Sequence, residues 1–291
     1  MEIALNFVLR SPLFNPRRDG MRRRTAAVGS LLFLVTAPLL AHDMFWRLTS
    51  YYVAPMTALR MPVLNGTFSK SENSIEWARV ASLSVVSPKG RMPMDSARWE
   101  TQSDTTWLRY TTDAAGTYVA GLSTKPTEFE LEAKAFNQYL ADDGIPDILA
   151  ARRKDGSLAK LARERYSKHI KTIFQVGAER SSAWSVVLGH PAELVPLENP
   201  YVLRPGGTIR LRCLVDGQPV ANQLVLVGGR IGAMGDARLP IQSLRTNADG
   251  TVAVSLPRAG RWYVKFIHMK RVDDGRVNYE SKWATITFEI R

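Results

Sequence analysis

Hydrophobic and polar positions alternate with period two along much of the chain, the signature of half-buried strands. "FWRLTSYYVAP" and "TALRMPVLNGTF" are short β-rich runs, split by Ala54-Pro55 and closed by Asn65-Gly66. "RVASLSVVSPKG" follows, then "TTWLRYTTDAAGTYVAGLS", in which Asp113 to Gly116 predicts a turn between two strands. The period then changes. Thr127 and Glu130 match a T-x-x-E capping box behind Pro126, and Leu131, Ala135 and Gln138, with Phe136, Tyr139 and Leu140, predict an amphipathic helix ended by Gly144. A second helical stretch is predicted over about Ile145 to Tyr166, broken at Asp155-Gly156, before "IKTIFQVG" returns to strand.

"HPAELVPLENPYVLRPGG" holds four prolines and reads as a connector. Beyond it, "TIRLRCLV" turns at Asp216-Gly217, "QLVLVGG" follows, and "LRTNADGTVAVSL" turns at Asp249-Gly250. "GRWYVKFIHMKR" and "YESKWATITFEI" form a closing hairpin around Asp273-Asp274-Gly275. The expected fold is mainly β. It consists of two immunoglobulin-like antiparallel β-sandwich domains, 42–199 and 200–291, with a helical insert at about 127–166.

The front end reads as a targeting signal. Met21-Arg22-Arg23-Arg24 supplies a positive start, Ser30 to Leu40 is mostly apolar, and Ala41 is a small residue at the expected cut. Residues 1–20 do not fit such a signal, so translation is expected to start at Met21. The apolar run is shorter than the roughly 20 residues of a membrane-spanning helix. The mature chain is expected to begin at His42, to carry no membrane span and to be periplasmic.

Formal charge is +12, from 39 basic and 27 acidic residues among 291. The densest basic cluster, "ARRKDGSLAKLARERYSKHIK", mixes in acids and reads as a solvated helix face. No nucleic-acid partner is expected, since no such module motif is present. The single Cys213 alternates with polar neighbours in "TIRLRCLVDG" and is expected to be a buried strand thiol. No G-x-S-x-G, H-E-x-x-H or P-loop motif occurs.

Candidate chemistry rests on four histidines, His42, His169, His190 and His268. A free N-terminal His42 offers an α-amine and an imidazole that can chelate one divalent cation, with Asp43 next to it; nitrogen ligands suit nickel, cobalt, copper and zinc. Folding the last hairpin about Asp274 sets His268 opposite Glu280, either as a ligand pair or as a structural hydrogen bond. His169 and His190 carry no comparable signal.

Several phrases resemble a bacterial exported family described as the nickel uptake substrate-specific region: "AHDMFW", "LNGTF", "FNQYLADDG", "ERYSKHIKTIFQVG", "GHPAELVPLENP" and "WYVKFIHM…YESKWAT". The resemblance implies a periplasmic protein of β-sandwich domains that handles nickel or cobalt beside a membrane metal transporter. The matching positions are His42, His190, His268 and Glu280. The family's transmembrane segment has no counterpart here. "VDGQPVANQLVLV" and "RTNADGTVAVSL" are also similar to carboxypeptidase-regulatory-like and immunoglobulin-like modules.

The leading expectation is therefore a periplasmic metal-binding protein for nickel or cobalt uptake or delivery, with His42, His268 and Glu280 as the metal site and no catalytic residues. One alternative is a copper histidine-brace oxidative enzyme. The other is a metal-free carbohydrate- or protein-binding module, with Trp46, Trp77, Trp99 and Trp107 as stacking surfaces.

Overall fold

Among the described residues the period-two pattern is realised as three β-sheets, of eleven, four and four strands. The computed structural model describes residues 42–231 and 237–291. The expected signal segment with its cut after Ala41, and the end of "GGRIGAMG", lie outside them.

The eleven-stranded sheet is the central layer. Its main path runs Ala237–Arg238, Leu224–Ile231, Gly260–Arg271, Tyr279–Ile290, Ala162–Val176, Gly116–Thr124, Val80–Ser87 and Gly90–Pro93. Strands from both halves of the chain thus share one sheet. They join where Ala162–Val176 runs parallel to Tyr279–Ile290, with Glu164 beside Tyr279 and Thr172 beside Thr287. All other described pairings are antiparallel except a short parallel one between Gln175–Val176 and Tyr52–Val53.

The two four-stranded sheets pack on opposite faces of this layer. Side chains of successive strand residues point to opposite faces. Along Gly116–Thr124, Tyr118, Ala120 and Leu122 enter one core with Met44, Trp46, Met61, Val63 and Leu108. Val119 enters the other, with Leu194, Leu211, Val254, Trp262, Ile286 and Phe288. Every residue of "GTYVAGLST" is buried. That is why this segment reads as a continuous small-and-apolar run rather than an alternation. Cys213 lies in the second core as a free, buried thiol, its pKa pushed up by burial.

The helical insert is shorter than the pattern predicts. Thr127–Leu131 is a strand, not a helix start. "TEFEL" pairs antiparallel with the long strand, setting Glu130 opposite Arg163 and Glu128 opposite Arg165. Both pairs close as ion pairs, at 3.1 Å and 2.8 Å. Cross-strand opposite charges and the inward Phe129 and Leu131 outweigh the capping-box match. Helix α1 spans Ala133–Asp142 and buries Phe136, Tyr139 and Leu140 against Tyr279 and Trp283. Gly144 follows with φ 78°, and a Cβ there would meet Leu226, so the helix end needs glycine twice over. Helix α2 spans Pro146–Lys154.

The basic cluster predicted as a solvated helix face is only partly so. Arg152 of α2 is 1% exposed and donates to Asn137 Oδ1, Tyr279 Oη and the Lys160 carbonyl. From Ala162 onward the cluster is strand, and Glu164, Lys168 and Lys171 are buried. No helix among the described residues is long and apolar enough to cross a membrane.

Candidate functional site

The N-terminal strand Asp43–Trp46 pairs antiparallel with Ala58–Gly66, placing Asp43 opposite Gly66 and Phe45 opposite Leu64. His42 therefore sits at the rim of the sheet, partly exposed. Its imidazole Nδ1 lies 3.2 Å from Glu72 Oε2. Its carbonyl accepts a short hydrogen bond from the Lys168 ammonium, which also donates to Asn65 Oδ1 at 3.3 Å.

Behind this rim lies a cluster of buried charges. Lys265 Nζ donates to Asp43 Oδ2 at 2.5 Å, while Asp43 Oδ1 is buried and has no partner. Burial pushes the Asp143 carboxyl, at the end of α1, up to about 7. Burial likewise pushes Glu164 up to about 7, against hydroxyl donors from Ser281 and Tyr139, the latter at 3.1 Å. Burial pushes Lys168 down to about 8, opposed by Asp43. Lys265 is the converse case: burial lowers its pKa, but Asp43 and Asp143 outweigh burial and hold it above the ordinary lysine value. A cleft of about 310 Å³ beside these groups is lined by Asp43, Asp143 and Lys265 with Phe45, Phe68 and Tyr263.

The other two expected ligands lie elsewhere in the closing hairpin. His268 faces Lys282 across the ladder, and Glu280 faces Lys270. The hairpin centres on Gly275, at φ 77°, one residue beyond Asp274, and that shift moves every partner by two. Glu280 Oε1 sits 4.0 Å from Lys270 Nζ and 3.6 Å from Lys282 Nζ. His268 Nδ1 is 3.0 Å from Gln223 Oε1. Burial, followed by the charges of Lys282 and Lys270, lowers the His268 pKa. The structure thus pairs His42 with Glu72, and joins neither to His268 or Glu280. Among the described residues there is no group of three or more His, Cys, Asp or Glu side chains placed to hold a metal. Replacing Gly275 by Ala should cost about 1 kcal/mol, since only the left-handed backbone is at stake and no atom lies within 4 Å of the added methyl. Urea denaturation checks this.

Sequence reading missed Glu72, Lys168, Lys265, Asp143 and Glu164. A signal for two of them was present: Glu164, Tyr166 and Lys168 fall on one strand face with the core residues Ile170 and Phe174. Charged residues in register with a core face are buried charges, not a solvated stripe.

The model of a family described as a domain of unknown function, DUF4198, matches residues 39–270. The chain belongs to that family. No curated protein matches this DUF4198 chain significantly. Among solved structures it is similar to a Salmonella alpha-2-macroglobulin mutant, at 12% identity and TM-score 0.23, over 84% of this chain and 15% of that one. It is similar to trypsin-activated Escherichia coli alpha-2-macroglobulin at 13% identity and TM-score 0.21, over 86% and 16%. The human OSCAR ligand-binding domain matches at 12% identity and TM-score 0.18, over 86% and 97%. The DUF4198 chain thus spans about one sixth of the macroglobulins, and at these scores the likenesses assign it neither fold nor activity.

Proposed function

We propose that this DUF4198 protein is exported to the periplasm and binds one divalent transition metal through the α-amine and imidazole of His42, with Glu72 as a carboxylate ligand. The observation that carries the reading is the 3.2 Å approach of Glu72 Oε2 to His42 Nδ1. Nδ1 is the ring nitrogen that closes a six-membered chelate with the residue's own amine. A carboxylate already facing it supplies charge and a third ligand. The Lys168 bond to the His42 carbonyl orients the residue without using either nitrogen.

Nickel or cobalt is favoured by the sequence resemblance alone, and a membrane metal transporter as partner rests on the same ground. Ligand type by itself ranks copper higher. Glu72 takes the place that sequence reasoning gave to Glu280, and His268 has no part in the site. The immunoglobulin-like character of the two halves remains within this proposal, supported by the strand pattern of residues 200–291.

Two observations weigh against the alternatives. A two-histidine copper brace needs a second imidazole beside His42, whereas His169 and His190 pack against each other and His268 bonds Gln223. A stacking surface needs exposed indoles. Trp46 is fully buried, and no described tryptophan is among the exposed large apolar residues.

The test is metal titration of protein exported and processed by the cell, with the N-terminus checked by mass. One equivalent of metal should bind. His42→Ala should abolish binding, Glu72→Gln should weaken it about ten- to a hundredfold, and His268→Ala should leave it unchanged. A mature chain starting elsewhere than His42, or wild-type affinity in His42→Ala, overturns the reading.

A further inference from the structure

A second, smaller slot of about 210 Å³ opens on the inner side of the N-terminal strand. Its walls include Asn65, Ser74, Arg79, Thr124, Tyr166 and Lys168. Two cations converge there on one aromatic ring. Arg79 Cζ lies 5.7 Å and Lys168 Nζ 5.5 Å from the centre of Tyr166. The one carboxylate in the lining, Glu76, is exposed and forms no ion pair with Arg79.

The cations are unequally satisfied. The Lys168 ammonium donates to the His42 carbonyl and Asn65 Oδ1. Arg79 has no ion pair among the described residues, and its Nε is buried without a hydrogen-bond partner. A buried N–H left unmade costs about 1–3 kcal/mol, more when charged. Arg79 and Lys168 also repel each other as like charges set over one ring. The Arg79 guanidinium touches the fold through the face of Tyr166, and its backbone carbonyl accepts from the Lys125 amide, a bond that needs no particular side chain. The unmet Arg79 Nε–H and the repelling like charges around one cavity are both relieved by an anion.

We infer that this slot binds a small oxyanion, a carboxylate or phosphate group, held by the Arg79 guanidinium with Lys168 behind it. A guanidinium offers parallel N–H donors that match two oxygens of one acid. The Ser74 hydroxyl and the Asn65 amide N–H, whose carbonyl oxygen is already engaged by Lys168, complete the donor set, and Met44 and Ile75 supply the apolar part of the lining. The slot's volume restricts the ligand to a few non-hydrogen atoms.

The experiment is calorimetric titration of the metal-free, full mature protein with inorganic phosphate and, separately, with malonate, at ionic strength held constant by sodium chloride. Metal is absent, so the result does not depend on the role of His42. Saturable binding of at least one of the two anions is expected, with at least a tenfold loss in Arg79→Gln and partial retention in Arg79→Lys. Binding of phosphate alone or of malonate alone identifies which acid the slot prefers. No saturable heat with either anion, or wild-type affinity in an Arg79→Gln protein with native circular dichroism, overturns the inference.

Discussion

Replacing Glu193 by Ala is expected to cost about 3–5 kcal/mol, because it leaves a buried ammonium without its counter-charge. Glu193 and Lys171 are both 2% exposed and meet at 2.5 Å. The carboxylate also accepts from the backbone amides of Leu188, Gly189 and His190, at 2.7, 3.0 and 3.3 Å. Lys171 retains only the Val186 carbonyl once the carboxylate is gone. Its pKa is already lowered by burial, with Glu193 holding it up, so removing the carboxylate lowers it further. Three orphaned amides add to the loss. The double variant Glu193→Leu/Lys171→Met removes both charges together and should recover the part of the loss due to the unpaired ammonium, though not the part due to the three amides, since buried ion pairs commonly break even against apolar replacements. Urea denaturation measures both. A loss below about 1 kcal/mol in the single variant, or a double variant no better than the single, would show that the pair does not anchor this segment.

The same pair illustrates what the chain discloses about itself. Lys171 opens "IKTIFQVG", whose alternation marks a strand, yet nothing local says that its odd face meets the proline-rich connector. The prolines of this segment predict a connector. It carries the strand Ala192–Pro196, with Leu194 opposite Cys213 and Pro196 at the edge where no donor is needed. Most strands are legible from local pattern, Thr127–Leu131 and Ala192–Pro196 being the exceptions; strand partnership is not. The parallel join of Ala162–Val176 to Tyr279–Ile290 spans more than a hundred residues of chain, and no turn residue encodes it. The closing hairpin shows the intermediate case. Its two strands and its turn segment were legible, but register depends on which residue takes the left-handed position, and choosing Asp274 over Gly275 put Glu280 in front of His268. His42 was singled out for its place after Ala41, a feature that sequence alone can show. Glu72 could not be found that way, because only the pairing of two strands and the turn beyond them brings residue 72 to residue 42.

Lowering pH should leave stability nearly flat from 6.5 to about 4.5 and then reduce it steeply, and His190→Leu should change the sign of the first part. His169 and His190 pack at a 6.0 Å ring separation, 2% and 5% exposed, and burial pushes each pKa down to about 3. The groups acting on them are Lys171 and Arg91 around His190, and Lys282, Glu193 and Asp216 around His169. In the unfolded chain both titrate near 6.5. A folded-state pKa below the unfolded one gives stability that is present above pH 6.5 and is lost as pH falls towards 3, of the order of 4 kcal/mol per imidazole. Asp143 and Glu164 work the other way. Their pKa values are raised to about 7, so their contribution is complete below the unfolded carboxyl range and is lost as pH rises through 7. Between 6.5 and 4.5 these two pairs oppose one another, and His268, whose pKa burial also lowers, adds to the histidine side. Below about 4 the Asp143 and Glu164 carboxyls are protonated in both states and the histidine loss continues unopposed by them. Asp113 and Asp274, held near 2 chiefly by the Tyr118 hydroxyl and the Val277 amide, add to the acid loss in wild type and variant alike, so the comparison removes them. His190→Leu removes one of the two largest histidine contributions, which makes stability rise on acidification from 6.5 to 4.5 and softens the fall below it. Denaturant melts at pH 7, 5.5 and 3.5 read all three regions. Superimposable wild-type and variant profiles would mean that the buried imidazoles are not what sets the acid limit of the fold.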